Sequence, residues 1–171
     1  MEISKLGTKI VVLGVSAAGK STFARSLAKK TFIPIMHMDM HMWQPGWNYV
    51  GNEATVAIIK EAAKRDRWII EGYIEKEARE ELFDSADTIL YLDYSGWVAA
   101  WRYIRRWLTH RKEPRPELPG SPDKFSLKFL RLVFTKGEVY RLEQLFKSGK
   151  WDNKITRFKT LKEAEQFLQS L

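Results

Sequence analysis

Cysteine is absent from the 171 residues, which removes disulfides, thiolate metal sites and a cysteine nucleophile together. Long apolar runs are missing as well. Nothing approaches the roughly eighteen consecutive apolar residues of a membrane span, and the N-terminus has no apolar segment ending in a small-residue cleavage site. Neither a membrane partner nor secretion is expected, and the cytoplasm is the expected compartment. Histidine is scarce, with three in the chain. Internal repeats and low-complexity linkers are lacking, and the densest Pro/Gly stretch, EPRPELPGSPD at 113–123, reads as a loop between helices. One domain spanning 1–171 is the expectation.

Positive charge, by contrast, is in excess. The formal net charge is +8, which favours anionic partners without separating nucleotides from nucleic acid or lipid headgroups. Its placement says more. Between Trp97 and Arg115 lie Arg102, Arg105, Arg106, Arg111, Lys112 and Arg115, opposed by Glu113 alone.

Short apolar runs alternate with longer helical patterns. KIVVLG (9–14), FIPIMHM (32–38), RWIIEG (67–72), TILYLD (88–93) and KITRF (154–158) read as strands. The first, third and fourth are apolar on consecutive positions, as strands covered on both faces are. Helical patterns fall at 20–30, 52–66, about 75–83, 95–112, about 123–148 with a break at Gly137, and 160–170. The alternation predicts an α/β fold with a parallel sheet and right-handed crossovers.

The segment GVSAAGKS (14–21) satisfies G-x-x-x-x-G-K-[ST] at every fixed position, follows a strand run and opens a helical one. Gly14 and Gly19 permit a tight loop whose backbone N–H groups face phosphate oxygens, and the helix N-terminus adds its dipole. Lys20 reaches the β- and γ-phosphates, and the Ser21 hydroxyl ligates magnesium. Gly14, Val15, Ser16, Ala17, Ala18, Gly19, Lys20, Ser21 and Thr22 are therefore the expected ATP-binding segment.

Magnesium at phosphates calls for a carboxylate on a neighbouring strand, directly or through water. Glu71 closes RWIIE and Asp93 closes TILYLD. Ligands of open parallel sheets gather outside the carboxyl ends of strands, so both are candidates, with a helix or turn cap as the alternative, weighed equally for Asp93. Asp39 ends the second apolar run and belongs to the same rim, where a carboxylate can orient a substrate hydroxyl for attack on the γ-phosphate.

Over 95–112, Trp97, Trp101, Ile104 and Leu108 form one helical stripe, read as core packing. Arg102 and Arg106 fall on the opposite face, four residues apart, where like charges repel slightly and a facing anion relieves the cost. Phosphoryl transfer needs cations over the developing charge, so both are candidate catalytic residues, and Arg111 and Arg115 are candidates for closing a lid. In MHMDMHMWQPGW (36–47), His37, Asp39 and His41 recur at alternate positions and suggest zinc. Pro45-Gly46 soon ends any extended run, however, and no thiol completes the site. His37 is expected to be buried on the second strand, and Asp39 is retained for acceptor chemistry.

In order along the chain, GVSAAGKST, HMDMHMWQPGW, RWIIEGY, ADTILYLD, RYIRRW and RKEPRPELPGSPDKF together resemble the DNA topology modulation (FlaR-related) proteins, a branch of the adenylate-kinase-like P-loop kinases. The likeness runs from Lys9 to about Leu130. It implies a three-layer P-loop NTPase fold of nucleotide-kinase type: a five-stranded parallel sheet in the order 2-3-1-4-5, helices on both faces, a substrate-side region at about 39–66 and an arginine-bearing lid at about 102–124. It also implies that Arg102 stacks on adenine, that Arg106 contacts phosphates, and that Glu71, standing where relatives carry D-G-F, holds magnesium through water. The family's aspartate-to-tryptophan stretch maps onto Asp39 to Trp43, with Trp47 beyond. Two departures matter. FlaR-like proteins usually read D-G-N-Y where this chain has Glu71-Gly72-Tyr73, and Glu75 stands where adenylate kinase carries an acceptor-binding arginine, leaving Arg79 as the nearest basic residue. Adenylate kinase activity is not implied. Asp39, Trp43, Trp47, Tyr73, Arg79, Arg111 and Arg115 are the candidate acceptor contacts.

These features lead to the expectation of a kinase that uses ATP and Mg2+ to phosphorylate a small acceptor, a nucleoside or nucleotide among the candidates. Two alternatives stand beside it: a DNA-binding regulator switched by ATP, and an ATPase with no phosphorylated product. No zinc-finger or basic-zipper signature supports nucleic acid, which is the less favoured partner.

Overall fold

The computed structural model describes residues 6–171. Its elements are β1 (Lys9–Gly14), α1 (Lys20–Thr31), β2 (Ile35–His37), α2 (Met38–Met42), β3 (Trp43–Gln44), β4 (Asn48–Tyr49), α3 (Asn52–Ala63), β5 (Trp68–Glu71), α4 (Lys76–Ser85), β6 (Thr88–Leu92), α5 (Gly96–His110), α6 (Leu127–Phe134), α7 (Tyr140–Phe146), β7 (Ile155–Phe158) and α8 (Leu161–Gln169), with a 3-10 turn at Gly137–Val139. β2, β5, β1, β6 and β7 form one sheet in that order, every neighbouring pair parallel. Counting the strands of this sheet alone, the order is the expected 2-3-1-4-5.

Sequence character decides who sits where. β1, β5 and β6, the runs without alternation, are the three inner strands, and Ile10, Val11, Val12, Ile69, Ile70, Ile89 and Leu90 are fully buried. The edge strands β2 and β7 are half-buried. Helices cover both faces, α1 packing on β1 and β5 and reaching α8, and α3 packing on α4. No described helix is long and apolar enough to cross a membrane.

Four local expectations change. The second strand is only Ile35–His37, because the chain coils into α2 at Met38; the period-two reading of His37, Asp39 and His41 therefore does not hold. An antiparallel hairpin, β3 with β4, sits within 39–66, where no strand was expected. The long pattern at 123–148 divides into α6, the 3-10 turn and α7; the break is at Lys136, left-handed at φ 58°, just before Gly137. Finally, Trp97 and Trp101 are not core: they are 75% and 67% exposed. The core side of α5 is Ala99, Ala100 and Tyr103, small residues that let the helix approach closely. Periodicity identifies a face without saying which side the rest of the chain covers.

Candidate active site

β1 ends at Gly14 and α1 begins at Lys20, so the loop between them lies outside the carboxyl end of the central strand, where open parallel sheets bind ligands. Gly19 caps α1 at φ +95°, and a Cβ there would come within 2.9 Å of the Arg102 guanidinium. Only glycine suits both the backbone and this approach. Arg102 uses the space to donate from Nη1 to the Ala18 carbonyl at 2.8 Å. Lys20 folds back over its own loop, with Nζ donating to Gly14 O at 3.0 Å and Val15 O at 3.2 Å. Val15 and Ala18 turn their side chains into the core.

A cavity of about 510 Å³ opens over the loop, lined by Gly14, Ser16, Ala17, Gly19, Lys20, Ser21, Thr22, Asp39, Glu71, Tyr73 and Arg79 among others. Seven Lys and Arg side chains border it (Lys20, Arg25, Arg79, Arg102, Arg105, Arg106 and Arg115) against four carboxylates (Asp39, Glu71, Glu117 and Glu138). That imbalance suits anionic ligands. Arg102 and Arg106 come from the side of α5 away from the exposed tryptophans, while Arg105, four residues after Trp101, is exposed at the cavity's edge.

The three candidate carboxylates have separate fates. Glu71 is buried at the end of β5, paired in register with His37 on β2, and the His37 ring nitrogen Nδ1 lies 2.5 Å from its Oε1. Just beyond it Gly72, at φ +124°, passes under α2 so closely that a Cβ would sit 3.0 Å from the Met38 Cβ. Glu71 still borders the cavity, as does Ser21; a carboxylate and a hydroxyl are hard oxygen donors that fit magnesium. Asp39, in the first turn of α2, keeps about a third of its side-chain surface open, 35%, and it too lines the cavity. Burial raises its pKa above the ordinary carboxylate value, partly countered by the Lys20 and Arg115 cations. Asp93 does not line the cavity. It pairs with Lys136, Lys159 and Arg157. Burial alone would raise its pKa, but the hydrogen bonds and charges of Lys136 and Lys159 outweigh it and hold the carboxyl below its usual range. It is an ion-pair anchor of the β6 end, neither a cavity residue nor a helix cap.

The segment after α5 is seated rather than free. Asp123 is nearly inaccessible, with its carboxylate 3.0 Å from Arg106 Nε and 3.3 Å from Arg115 Nε, while Arg115 Nη1 is 3.8 Å from Asp39 Oδ2. Burial and the neighbouring Arg115 cation pull the Arg106 pKa below its ordinary value. Glu117 pairs with Arg25 of α1. The Trp47 indole donates to Pro122 O at 2.9 Å, and the Gly46 N–H donates to Gly120 O at 3.2 Å, which ties the β3–β4 hairpin to this segment. Residues 120–122, within the region expected as a lid, are thus packed against the hairpin.

Several expected acceptor residues do not reach the cavity. Trp43 and Trp47 pack edge-on against each other at 5.7 Å, and Trp47 attaches the hairpin to Pro122; neither lines the cavity. Arg111 is exposed and lies over the Trp107 ring at 5.7 Å, also outside it. Tyr73, Arg79 and Arg115 do line it. Arg79 is 7% exposed, its Nε donates to Ile74 O at 3.0 Å, and it has no carboxylate within ion-pair distance among the described residues. His41 is exposed on α2, and among the described residues no cluster of three or more His, Asp or Glu could hold a metal ion. Sequence reasoning missed Arg25, Glu117, Asp123 and Glu138. Nothing local marked Arg25, Glu117 and Glu138, whose partners are far away in the chain, and Asp123 meets Arg106 and Arg115 only through the fold of the segment after α5.

With this geometry in view, the chain superposes on solved structures of similar size. Shikimate kinase from Acinetobacter baumannii, in complex with shikimate, matches with a TM-score of 0.64 at 16% identity, over 97% of this chain and 93% of that one. The fold is that of the P-loop kinases. Shikimate kinases from Aquifex aeolicus (TM-score 0.56, 15% identity, 94% of this chain and 91% of that one) and Bacteroides thetaiotaomicron (0.54, 17%, 95% of each chain) agree. No family model matches the sequence. No curated protein matches it either.

Proposed function

We propose that this P-loop kinase fold works as a phosphotransferase, moving the γ-phosphoryl group of ATP to a hydroxyl of a small acceptor that carries an anionic group. One observation carries the reading: the phosphate loop, Asp39, Glu71 and the inward-facing arginines all border a single cavity. Lys20 and the loop N–H groups bind the phosphates, and Ser21 and Glu71 are the residues that would hold magnesium, which when bound neutralises phosphate oxygens. His37 steadies Glu71. Asp39 accepts the proton of the acceptor hydroxyl as the new O–P bond forms and the bond from the γ-phosphorus to the bridging oxygen breaks. Arg106 and Arg115, held by Asp123, face the charge that spreads over the γ-phosphoryl oxygens. Arg79, buried and without a carboxylate partner, supplies the charge that an anionic acceptor answers.

The ordered motif set supports a place near the FlaR-related, adenylate-kinase-like kinases, with Arg102 beside the nucleotide. A nucleic-acid partner is not favoured, because Arg102, Arg106 and Arg115 are half-buried at the cavity instead of forming an outward basic face. The test is to incubate the protein with γ-labelled ATP, Mg2+ and two pools of small hydroxyl compounds, one anionic and one neutral. Label in an anionic product is expected. Label in inorganic phosphate alone would overturn transfer in favour of hydrolysis, and label only in neutral products would remove Arg79 from acceptor recognition.

A further inference from the structure

The phosphate loop already holds an anion that belongs to the chain. Between α6 and α7 the backbone reverses at Lys136, whose ammonium pairs with the buried Asp93. The same turn is seated on the start of α5, where a Cβ on Gly96 would fall 1.8 Å from the Phe134 carbonyl oxygen and the Trp97 ring packs edge-on against Phe134 at 4.7 Å. Held through Phe134 and Lys136 just before it, the 3-10 turn presents Glu138 to the cavity. The Glu138 carboxylate accepts the backbone N–H of Ser16 at 2.6 Å and the Ser16 hydroxyl at 2.8 Å, across 122 residues of sequence. Ser16 lies inside GVSAAGKS, and backbone N–H groups of such a loop are the donors that take phosphate oxygens. A carboxylate is an oxyanion of similar donor preference, so the contact reproduces within the chain what a phosphate makes from outside.

From this we infer that Glu138 is an internal competitor for the nucleotide: on Ser16 it occupies one oxyanion position of the phosphate loop, and a polyphosphate binds there as the carboxylate departs. The inference rests on the reading of residues 14–21 as a phosphate site. It makes Glu138 a determinant of nucleotide affinity, set by the turn that carries it. A loop-organising role for Glu138 predicts the opposite sign, since removing an organiser weakens binding.

The sign is measurable by calorimetric titration of the full chain with Mg-ATP and, separately, with inorganic tripolyphosphate. E138A is expected to bind both about tenfold more tightly than the unmodified protein, roughly the value of one hydrogen bond to a charged group. E138Q, which keeps the shape and loses the charge, should gain less but in the same direction. Equal gains for ATP and tripolyphosphate place the effect at the phosphates; a gain for ATP alone would mean that Glu138 meets the base and would overturn the inference. Unchanged or weaker binding by E138A and E138Q, with melting temperatures like that of the unmodified protein, would overturn it too. K20A separates the two readings. If it binds ATP as the unmodified protein does, the phosphate-site assignment itself fails, whatever E138A does.

Discussion

Asp123→Asn tests the cluster on which the proposed transfer depends. The Asp123 side chain is 3% exposed, and its two partners, Arg106 and Arg115, are 22% and 12% exposed. Removing the carboxylate charge leaves two largely buried guanidinium groups facing each other. Breaking a buried pair by removing one partner costs about 3–5 kcal/mol. Both arginines border the cavity, and Arg115 retains Asp39 at 3.8 Å, so the lower end applies, about 3 kcal/mol. For a chain of this size each kcal/mol lowers the melting temperature by about 2–4 °C, giving an expected fall of roughly 6–12 °C by calorimetry. The same substitution frees the Arg106 and Arg115 side chains from each other, because the Asp123 side chain joins them, so kcat should fall more than the KM for ATP rises. A melting temperature within about 1 °C of the unmodified protein, together with an unchanged kcat, would refute both the assignment of Asp123 as the cluster's anchor and the pairing of Arg106 and Arg115 through it.

Other substitutions separate the remaining roles. D39N should abolish transfer while leaving ATP binding intact; with Asp39 present, the acid limb of the kcat profile should have a midpoint above the ordinary carboxylate range, because its pKa is raised by burial, and a midpoint at or below that range would argue against Asp39 as the base. D93A should destabilise the fold at neutral pH. Since the Asp93 pKa is depressed in the folded state, its contribution is present above the unfolded carboxylate pKa and is lost as pH falls through the lower, folded value; a stability difference from the unmodified protein that does not shrink with acid would contradict this. R79Q should raise the KM for an anionic acceptor by on the order of tenfold, the loss of one charge-assisted hydrogen bond, and leave ATP affinity unchanged, whereas an equal loss for ATP would move Arg79 to the nucleotide side.

The phosphate-loop pattern and the parallel sheet were legible in advance because each depends on local pattern or on a motif of fixed spacing, whereas the strand order was implied by the family resemblance. A glycine loop before a helix is a local device, and uninterrupted apolar runs mark strands covered on both faces. The same locality explains where the reading fell short. The exposed stripe of Trp97 and Trp101 has the same periodicity as a buried one, and only the packing of Ala99, Ala100 and Tyr103 shows which side of α5 faces the core. Trp43 and Trp47 stand close in sequence to Asp39, yet in the hairpin Trp47 is turned onto Pro122 and Trp43 onto Trp47 and Tyr49 instead of into the cavity.

By itself, the sequence determined that a glycine loop of phosphate-binding pattern joins a strand to a helix, on what kind of sheet, and with which cations in the chain, since loop pattern and strand burial follow from residues near one another. Only the tertiary structure decided how the carboxylates divide: Asp39 and Glu71 border the cavity, Asp93 goes to a trio of cations, Asp123 clamps two arginines, and Glu138 crosses 122 residues to reach Ser16. Charge pairing is set by distance in space, and spacing along the chain does not encode it.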